Sequence, residues 1–230
     1  MDPKALTLAR LVLPFALVAC AEDPQHVTAP SLAIGESPKS PGGEASEAPL
    51  VVFLGDSLTA GNGLAENEAY PALIKARLAR EGHPVRIVNA GVSGDTSAGG
   101  LARLDWMLSQ HPDILVVALG ANDGLRGLPV AEMESNLSAI VQRARDGGAR
   151  VLLAGMLVPP NYGADYARAF AEVFPRVAKD NHVPLVPFLL EGVGGRAALN
   201  QADGIHPNAK GQAIVADTVL EGLSELLDAK

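Results

Sequence analysis

The sequence predicts an α/β fold in which helices cover both faces of a five-stranded parallel sheet. Five short apolar runs alternate with longer amphipathic stretches, which is the pattern of repeated β-α units. The runs are nearly continuous in Val, Ile and Leu rather than alternating with polar residues, as expected for strands that are buried on both faces. Of the 230 residues, 48% are hydrophobic, so the chain can bury the core of one domain.

The individual elements follow from these runs. The predicted strands are residues 50–54, 85–89, 114–119, 151–155 and 183–186. The predicted helices are residues 68–80, 98–109, 129–145, 164–179 and 209–227. Asn208 directly precedes the last helix and is predicted to cap it, because asparagine side chains accept hydrogen bonds from the first free amides of a helix. Trp106 lies on the second predicted helix, where we expect it to pack.

The amino-terminal segment is predicted to be a signal sequence rather than part of the fold. Lys4 and Arg10 precede an apolar run at residues 11–19. This run is too short to span a bilayer, which needs about 20 residues, but it has the length of a secretory apolar region. It ends in Leu17-Val18-Ala19-Cys20, which resembles the lipobox of bacterial lipoproteins. We therefore predict a lipoprotein-type signal peptide at residues 1–19 and acylation of Cys20; a plain signal peptide is the alternative.

A flexible tether is predicted to follow. Residues 20–48 are rich in Pro, Ser, Gly and Glu and have no apolar periodicity, so they cannot bury enough surface to offset the entropy of ordering. The folded domain is predicted at residues 49–230.

Composition and motifs exclude several classes of function. A net charge of −8 and only 4% aromatic residues argue against a nucleic-acid partner, which needs clustered Lys and Arg or stacking platforms. The sequence has no HExxH, CxxC or GxxxxGK[ST] motif, so we predict no metal and no cofactor.

Chemistry-bearing residues follow the predicted strands, at the edge where open parallel sheets bind ligands. The first strand ends in Gly55-Asp56-Ser57. Ser57 is either a helix N-cap or a nucleophile, and a nucleophilic serine needs a base that a third group orients.

His206 is the candidate base. Asp203 stands three residues before it in Asp203-Gly204-Ile205-His206-Pro207, close enough to orient the imidazole within one loop. The alternative is that Asp203 only begins a turn. The remaining histidines are predicted to lie in turns, at the surface or in the tether: His26, His83, His111 and His182.

Three groups are candidates for an oxyanion hole: the backbone amides of Ser57 and Gly94, and the side-chain amide of Asn122. A simple turn is the alternative interpretation of the Asn122 segment. The acidic residues Asp56, Asp95 and Asp123 share no short loop with a histidine, and we expect them to brace loops through backbone hydrogen bonds.

Taken together, these segments resemble the four sequence blocks of the SGNH (GDSL) hydrolases. The blocks are Gly55-Asp56-Ser57-Leu58, Gly94, Gly120-Ala121-Asn122-Asp123 and Asp203-Gly204-Ile205-His206-Pro207. Three further stretches are similar to the bacterial periplasmic thioesterase, arylesterase and lysophospholipase group: residues 93–96, 122–127 and 161–163. One departure is Ala121, where closer relatives often carry Gly.

The resemblance implies a flavodoxin-like three-layer α/β/α fold, the SGNH hydrolase fold. It also implies metal-free catalysis by Ser57, Asp203 and His206 on acyl esters, thioesters or lysophospholipids. We expect the protein to be a monomer. The expected location is the periplasmic side of a membrane as a lipoprotein, otherwise soluble in the periplasm or secreted. Ala21 rather than Asp after Cys20 favours the outer membrane if the host is Gram-negative.

Two other functions remain open on the sequence. A carbohydrate O-acetylesterase uses the same machinery on small acyl groups, whereas long acyl chains need an apolar groove. Residues that line such a groove, or alternatively belong to the core, are Leu125, Met156, Leu157, Val158, Pro159 and Pro160. A lipid-anchored binding module, in which His206 and Asp203 are incidental, is the non-enzymatic alternative.

Overall fold

The computed structural model describes residues 48–228. The predicted signal peptide, Cys20 and all but the last residue of the predicted tether lie outside these described residues.

A five-stranded sheet forms the centre of the domain, as predicted. Its strands all pair in parallel, in the spatial order β2-β1-β3-β4-β5. The strands are β1 (Leu50–Gly55), β2 (Arg86–Gly91), β3 (Ile114–Ala118), β4 (Arg150–Ala154) and β5 (Leu185–Val186). This is the flavodoxin-like order, and the chain changes direction across the sheet between β1 and β3.

Eight α-helices accompany the strands within residues 48–228. They are α1 (Ser57–Ala60), α2 (Tyr70–Arg80), α3 (Ser97–Ala102), α4 (Leu104–Leu108), α5 (Ala121–Leu125), α6 (Val130–Asp146), α7 (Ala164–Asp180) and α8 (Ala209–Asp228). None of the helices in the described range is long and apolar enough to cross a membrane.

The strand order determines which helices share a face. The β1–β2 crossover runs toward one edge of the sheet, and the later crossovers run toward the other edge. Because parallel crossovers are right-handed, α2 lies on one face and α3, α6 and α7 lie on the other. Helix α8 packs against α2, whereas α6 packs against both α3 and α7. The predicted three-layer arrangement is therefore confirmed.

The central strands carry the core. Every residue of β1 and β3 is buried, and the ring of Phe53 meets that of Tyr70 of α2 edge-on at 5.6 Å. Strand β2 differs from the prediction because it lies at the edge of the sheet, and several of its residues are exposed or half-buried. The prediction that every strand is buried on both faces was wrong for β2.

The predicted helix at residues 98–109 is broken. Helix α3 ends before Arg103, whose φ of −105° and ψ of 5° are not helical, and α4 begins at Leu104. Trp106 on α4 is 63% exposed, so the prediction that it packs was wrong; Leu104 and Met107 are the buried residues of this short helix. The N-cap prediction is confirmed, since Oδ1 of Asn208 accepts hydrogen bonds from the amides of Lys210 and Gly211.

Candidate active site

Ser57 lies at the carboxyl end of β1, as the first residue of α1. Asp56 caps this helix, because its Oδ1 accepts a hydrogen bond from the amide of Leu58 at 3.0 Å. A Cβ atom on Gly55 would lie 2.0 Å from the Thr59 hydroxyl, so only glycine allows the chain to turn this tightly out of the strand. The turn presents Ser57 at the switch point of the sheet.

His206 and Asp203 lie in the loop that leads into α8. Oδ1 of Asp203 accepts hydrogen bonds from the amides of Ile205 and His206, at 2.9 and 3.0 Å, which fold the loop around the carboxylate. The other oxygen, Oδ2, lies 2.7 Å from Nδ1 of His206. These hydrogen bonds lower the pKa of Asp203 to about 2, and the bond to the imidazole has the largest effect.

The structure brings Ser57 and His206 together across 149 residues of sequence. Oγ of Ser57 lies 2.9 Å from Nε2 of His206. The tautomer protonated at Nδ1 satisfies both contacts of the ring, since it donates to Asp203 and accepts the serine proton at Nε2. A hydroxyl, an imidazole and a carboxylate joined in this order can generate a serine nucleophile.

Gly94 lies in the loop after β2, with a φ of 82° that favours glycine. A Cβ atom there would meet only the Arg126 guanidinium, at 3.6 Å, and Gly94 is exposed and lines the cavity. The amide of Ser57 is also free of an intrahelical partner because Ser57 begins a helix.

Asn122 lies on α5, which follows β3. Its Nδ2 donates to the carbonyl oxygen of Asp95 at 2.9 Å, and this bond orients the amide. Nδ2 also makes a long hydrogen bond of 3.4 Å to Oδ2 of Asp56, so a ligand oxygen that approaches this N–H competes only with a weak partner. Ser57, Gly94 and Asn122 all line the same cavity.

The three acidic residues near the site brace loops, but not all in the predicted way. Asp123 is buried and accepts hydrogen bonds from the amide and hydroxyl of Ser97. Asp56 is also buried, and burial raises its pKa to about 6 against the opposing effects of the Leu58 amide and the charge of His206. For Asp95 the prediction was wrong, because its carboxylate binds Nε of Arg103 at 2.7 Å rather than a backbone amide.

A cavity of about 600 Å³ opens beside these groups. Mainly apolar side chains line it, and they include the predicted Leu125, Met156, Leu157, Val158 and Pro159 as well as Leu58, Ala121, Phe188, Leu190 and Ile205. Phe188, Leu190 and Ile205 were not predicted; Ile205 stands beside His206 in sequence, which is the only local signal for it. The volume lies in the range of small-molecule sites.

The other described histidines lie away from this cavity. His83, His111 and His182 are exposed in turns that precede strands, as predicted, and His111 and His182 have φ values of 50° and 52°. Within residues 48–228, no group of three or more His, Cys, Asp or Glu residues is placed to hold a metal ion.

Sequence reasoning missed the side chains that tie the loops of the site together. Nη2 of Arg103 donates to the carbonyl of Gly55, and Nη2 of Arg126 donates to that of Gly94 at 2.6 Å. Gln201 joins the His206 loop to the segment after α1. The sequence does not reveal these roles, because each side chain binds backbone carbonyls that only the folded chain brings near.

Comparison with known proteins assigns the class. The profile of the GDSL-like Lipase/Acylhydrolase family matches residues 53–214, and the chain belongs to this family. The chain is 48% identical to Esterase TesA of Pseudomonas aeruginosa over 181 residues, which is 78% of this chain and 90% of the relative. It is 40% identical to Thioesterase 1/protease 1/lysophospholipase L1 of Escherichia coli K12, over 80% of this chain and 88% of that one.

Solved structures agree with this assignment. The psychrotrophic esterase EstA from a Pseudoalteromonas species, solved in a form inhibited by monoethylphosphonate, superposes with a TM-score of 0.75 at 36% identity. The match covers 78% of this chain and 98% of that one. The fold is that of the SGNH hydrolases, as the sequence blocks predicted.

Proposed function

We propose that the protein is a serine esterase that hydrolyses carboxylic esters and thioesters through an acyl-enzyme on Ser57. The observation that carries the proposal is the contact between Oγ of Ser57 and Nε2 of His206 at 2.9 Å, with Asp203 at 2.7 Å from the other ring nitrogen. Family membership supports it independently of the geometry.

In the acylation step, Oγ of Ser57 attacks the acyl carbonyl carbon while Nε2 of His206 takes the serine proton. The negative charge that develops on the carbonyl oxygen is stabilised by the amides of Ser57 and Gly94 and by Nδ2 of Asn122. When the intermediate collapses, the bond from the carbonyl carbon to the leaving oxygen or sulfur breaks, and the imidazolium returns its proton to the leaving group.

In the deacylation step, water occupies the position of the leaving group. His206 takes a proton from this water as it attacks the acyl-enzyme, and then gives the proton to Oγ of Ser57. Asp203 holds the ring in the required tautomer in both steps and stays ionised, because its lowered pKa of about 2 is far below neutral pH.

The cavity favours acyl chains longer than acetyl. Its volume of about 600 Å³ is much larger than an acetyl group needs, and its walls are apolar around Leu125, Leu157 and Phe188. A medium or long acyl chain gains free energy by leaving water for such walls, at about 0.8 kcal/mol for each buried methylene. This supports an esterase, thioesterase or lysophospholipase over a carbohydrate O-acetylesterase. The names of the Pseudomonas and Escherichia relatives point the same way.

An acyl-chain-length profile tests the proposal. We expect p-nitrophenyl octanoate and a lysophospholipid to be hydrolysed, with kcat/KM rising from acetate to octanoate, and the Ser57→Ala variant to fold normally but lose nearly all turnover. Activity on acetate alone would favour the O-acetylesterase, and no turnover of any ester would favour the binding module.

We also propose that the protein is exported and anchored through Cys20. The apolar run at residues 11–19 and the lipobox-like Leu17-Val18-Ala19-Cys20 support this proposal. Mass spectrometry of the amino-terminal peptide from a Gram-negative host tests it: an acylated Cys20 is expected, whereas a peptide that begins at Cys20 or later without a lipid contradicts anchoring.

A further inference from the structure

Gln201 connects the two segments that carry Ser57 and His206. It is partly buried and lies two residues before Asp203. Its Nε2 donates to the carbonyl of Asn62 at 2.7 Å and to the carbonyl of Pro207 at 3.1 Å, so both amide protons are used. Asn62 belongs to the turn after α1, and Pro207 directly follows His206.

Backbone hydrogen bonds extend this connection to the reacting residues. The amide of Asn62 donates to the carbonyl of Ser57 at 3.0 Å, and the amide of Gln201 donates to the carbonyl of His206 at 2.8 Å. A continuous path of hydrogen bonds therefore runs from Ser57 through Asn62 and Gln201 to His206. The path joins Ser57 and His206, which are 149 positions apart in sequence, through the bond from Gln201 to Asn62, which spans 139 positions.

We propose that Gln201 is a positioning residue that sets the distance between Oγ of Ser57 and Nε2 of His206. The inference rests on the proposed function. Asp203 is exposed, and its hydrogen bonds go to residues of its own loop. These bonds therefore orient the imidazole of His206 but do not attach the loop to α1. Gln201 attaches the His206 loop to the turn after α1 through two carbonyl oxygens, one on each segment. A buried bond from Nε2 of Gln212 on α8 to the Leu58 carbonyl, at 3.1 Å, holds α8 to α1 at the other end of this loop.

Gly63, which follows Asn62, supports the positioning role of Gln201. A Cβ atom on Gly63 would lie 2.3 Å from Oε1 of Gln201, so the chain leaves room for the glutamine side chain at this point. The φ of Gly63 is 80°, which also favours glycine. An alanine at position 63 would therefore displace the Gln201 side chain and also strain the turn that carries Asn62.

The test compares variants of Gln201 in the full chain. Gln201→Met keeps the length of the side chain but removes both donors, and Gln201→Glu places carboxylate oxygens against two carbonyl oxygens. The matched control is Gln142→Met, on an exposed position of α6. Steady-state kinetics on p-nitrophenyl octanoate give kcat and KM for each variant, and the rate of labelling by a fluorophosphonate reports the reactivity of Ser57 alone.

We expect kcat and the labelling rate of Gln201→Met to fall together by about 10- to 100-fold, because small displacements of reacting groups have effects of this size. KM is expected to stay within about twofold, since the residue does not line the cavity. The Gln201→Glu variant is expected to be at least as impaired, and Gln142→Met to match the wild type.

Two results would overturn the proposal while leaving the proposed function intact: a folded Gln201→Met variant with kcat within twofold of the wild type, or a loss that appears in KM alone. If Gln201→Met does not fold, Gln201→Asn tests the same role, because its amide is one methylene too short to reach both carbonyls. A fall in kcat at unchanged KM supports the proposal, and a kcat within twofold of the wild type contradicts it. An inactive wild type would instead contradict the proposed function.

Discussion

The hydroxyl of Ser97 donates a hydrogen bond to Oδ1 of Asp123 at 2.6 Å, and the Ser97 amide donates to Oδ2 of the same carboxylate at 2.8 Å. Both residues are buried. Ser97 begins α3, just after the Gly94 loop, and Asp123 follows Asn122 on α5. This pair therefore fixes two proposed oxyanion donors relative to each other.

Replacing Ser97 tests the contribution of this pair to stability. The Ser97→Ala variant leaves a buried carboxylate without one of its donors, and hydrogen bonds to charged groups contribute about 1.5–3 kcal/mol. We expect the free energy of unfolding in urea to fall by an amount in that range. The control Ser109→Ala, at an exposed position, is expected to change it by less than about 0.5 kcal/mol. Equal losses in the two variants would contradict the assigned role of the buried pair.

Replacing Asp203 tests the orientation of His206. In the Asp203→Asn variant the side chain can donate to Nδ1, which favours the tautomer with its proton on Nε2, so the ring no longer accepts the serine proton. We expect kcat to fall by about 10³–10⁴-fold with normal folding. Asp146→Asn, at an exposed position at the end of α6, is the matched control and is expected to retain full activity. A kcat of Asp203→Asn within tenfold of the wild type would remove Asp203 from the relay.

Replacing Asn122 tests the proposed oxyanion hole. The Asn122→Ala variant loses a donor that is needed most in the transition state, so kcat is expected to fall by about 10²–10³-fold with little change in KM. Asn67→Ala, in an exposed turn before α2, is the control and is expected to match the wild type. If the loss instead appears as a raised KM at constant kcat, Asn122 binds the ground state and is not an oxyanion donor.

The buried carboxyl of Asp56 predicts a pH dependence of stability. Burial raises its pKa from 3.8 to about 6 in the folded state, so between these values the folded chain binds more protons than the unfolded chain. Its contribution to stability is therefore fully present below about pH 4 and is lost as the pH rises to 6. The Asp56→Asn variant has no carboxyl group to ionise at this position, so it does not lose stability in this way as the pH rises.

Urea unfolding at pH 4 and at pH 7 measures the effect. Relative to the wild type, Asp56→Asn is expected to gain stability as the pH rises, by at most about 3 kcal/mol for a shift of this size. The lowered pKa of Asp203 acts in a separate window, because its stabilising contribution is lost only as the pH falls below about 4. A stability difference between the variant and the wild type that does not change from pH 4 to pH 7 would contradict the raised pKa.

Much of the fold was predictable because it depends on local patterns. The apolar runs located all five strands, and Asn208 marked the start of α8, as the structure confirms. The break at Arg103 was not predictable from periodicity. The Arg103 guanidinium binds both the Asp95 carboxylate and the Gly55 carbonyl, and these partners come together only in the folded chain.

The site was predictable to the extent that its residues stand in compact motifs. Asp203 and His206 share one loop, and the rule that ligands bind at the carboxyl ends of parallel strands placed Ser57, Gly94 and Asn122 at one edge. Gln201 was missed because its partners are backbone carbonyls, which give no signal in sequence. The exposure of Trp106 was not predicted, because the position of a single aromatic residue on a short helix does not tell which face of the helix is buried.

The reactivity of Ser57 is the most direct test of the account. Incubation of the protein with a fluorophosphonate, followed by proteolysis and mass spectrometry of the peptides, locates any covalent adduct. We expect complete labelling at Ser57 in the wild type, none in Ser57→Ala and strongly slowed labelling in His206→Ala. An unmodified Ser57 in folded wild-type protein, or equal labelling with and without His206, would contradict the assignment of Ser57 as a nucleophile activated by His206.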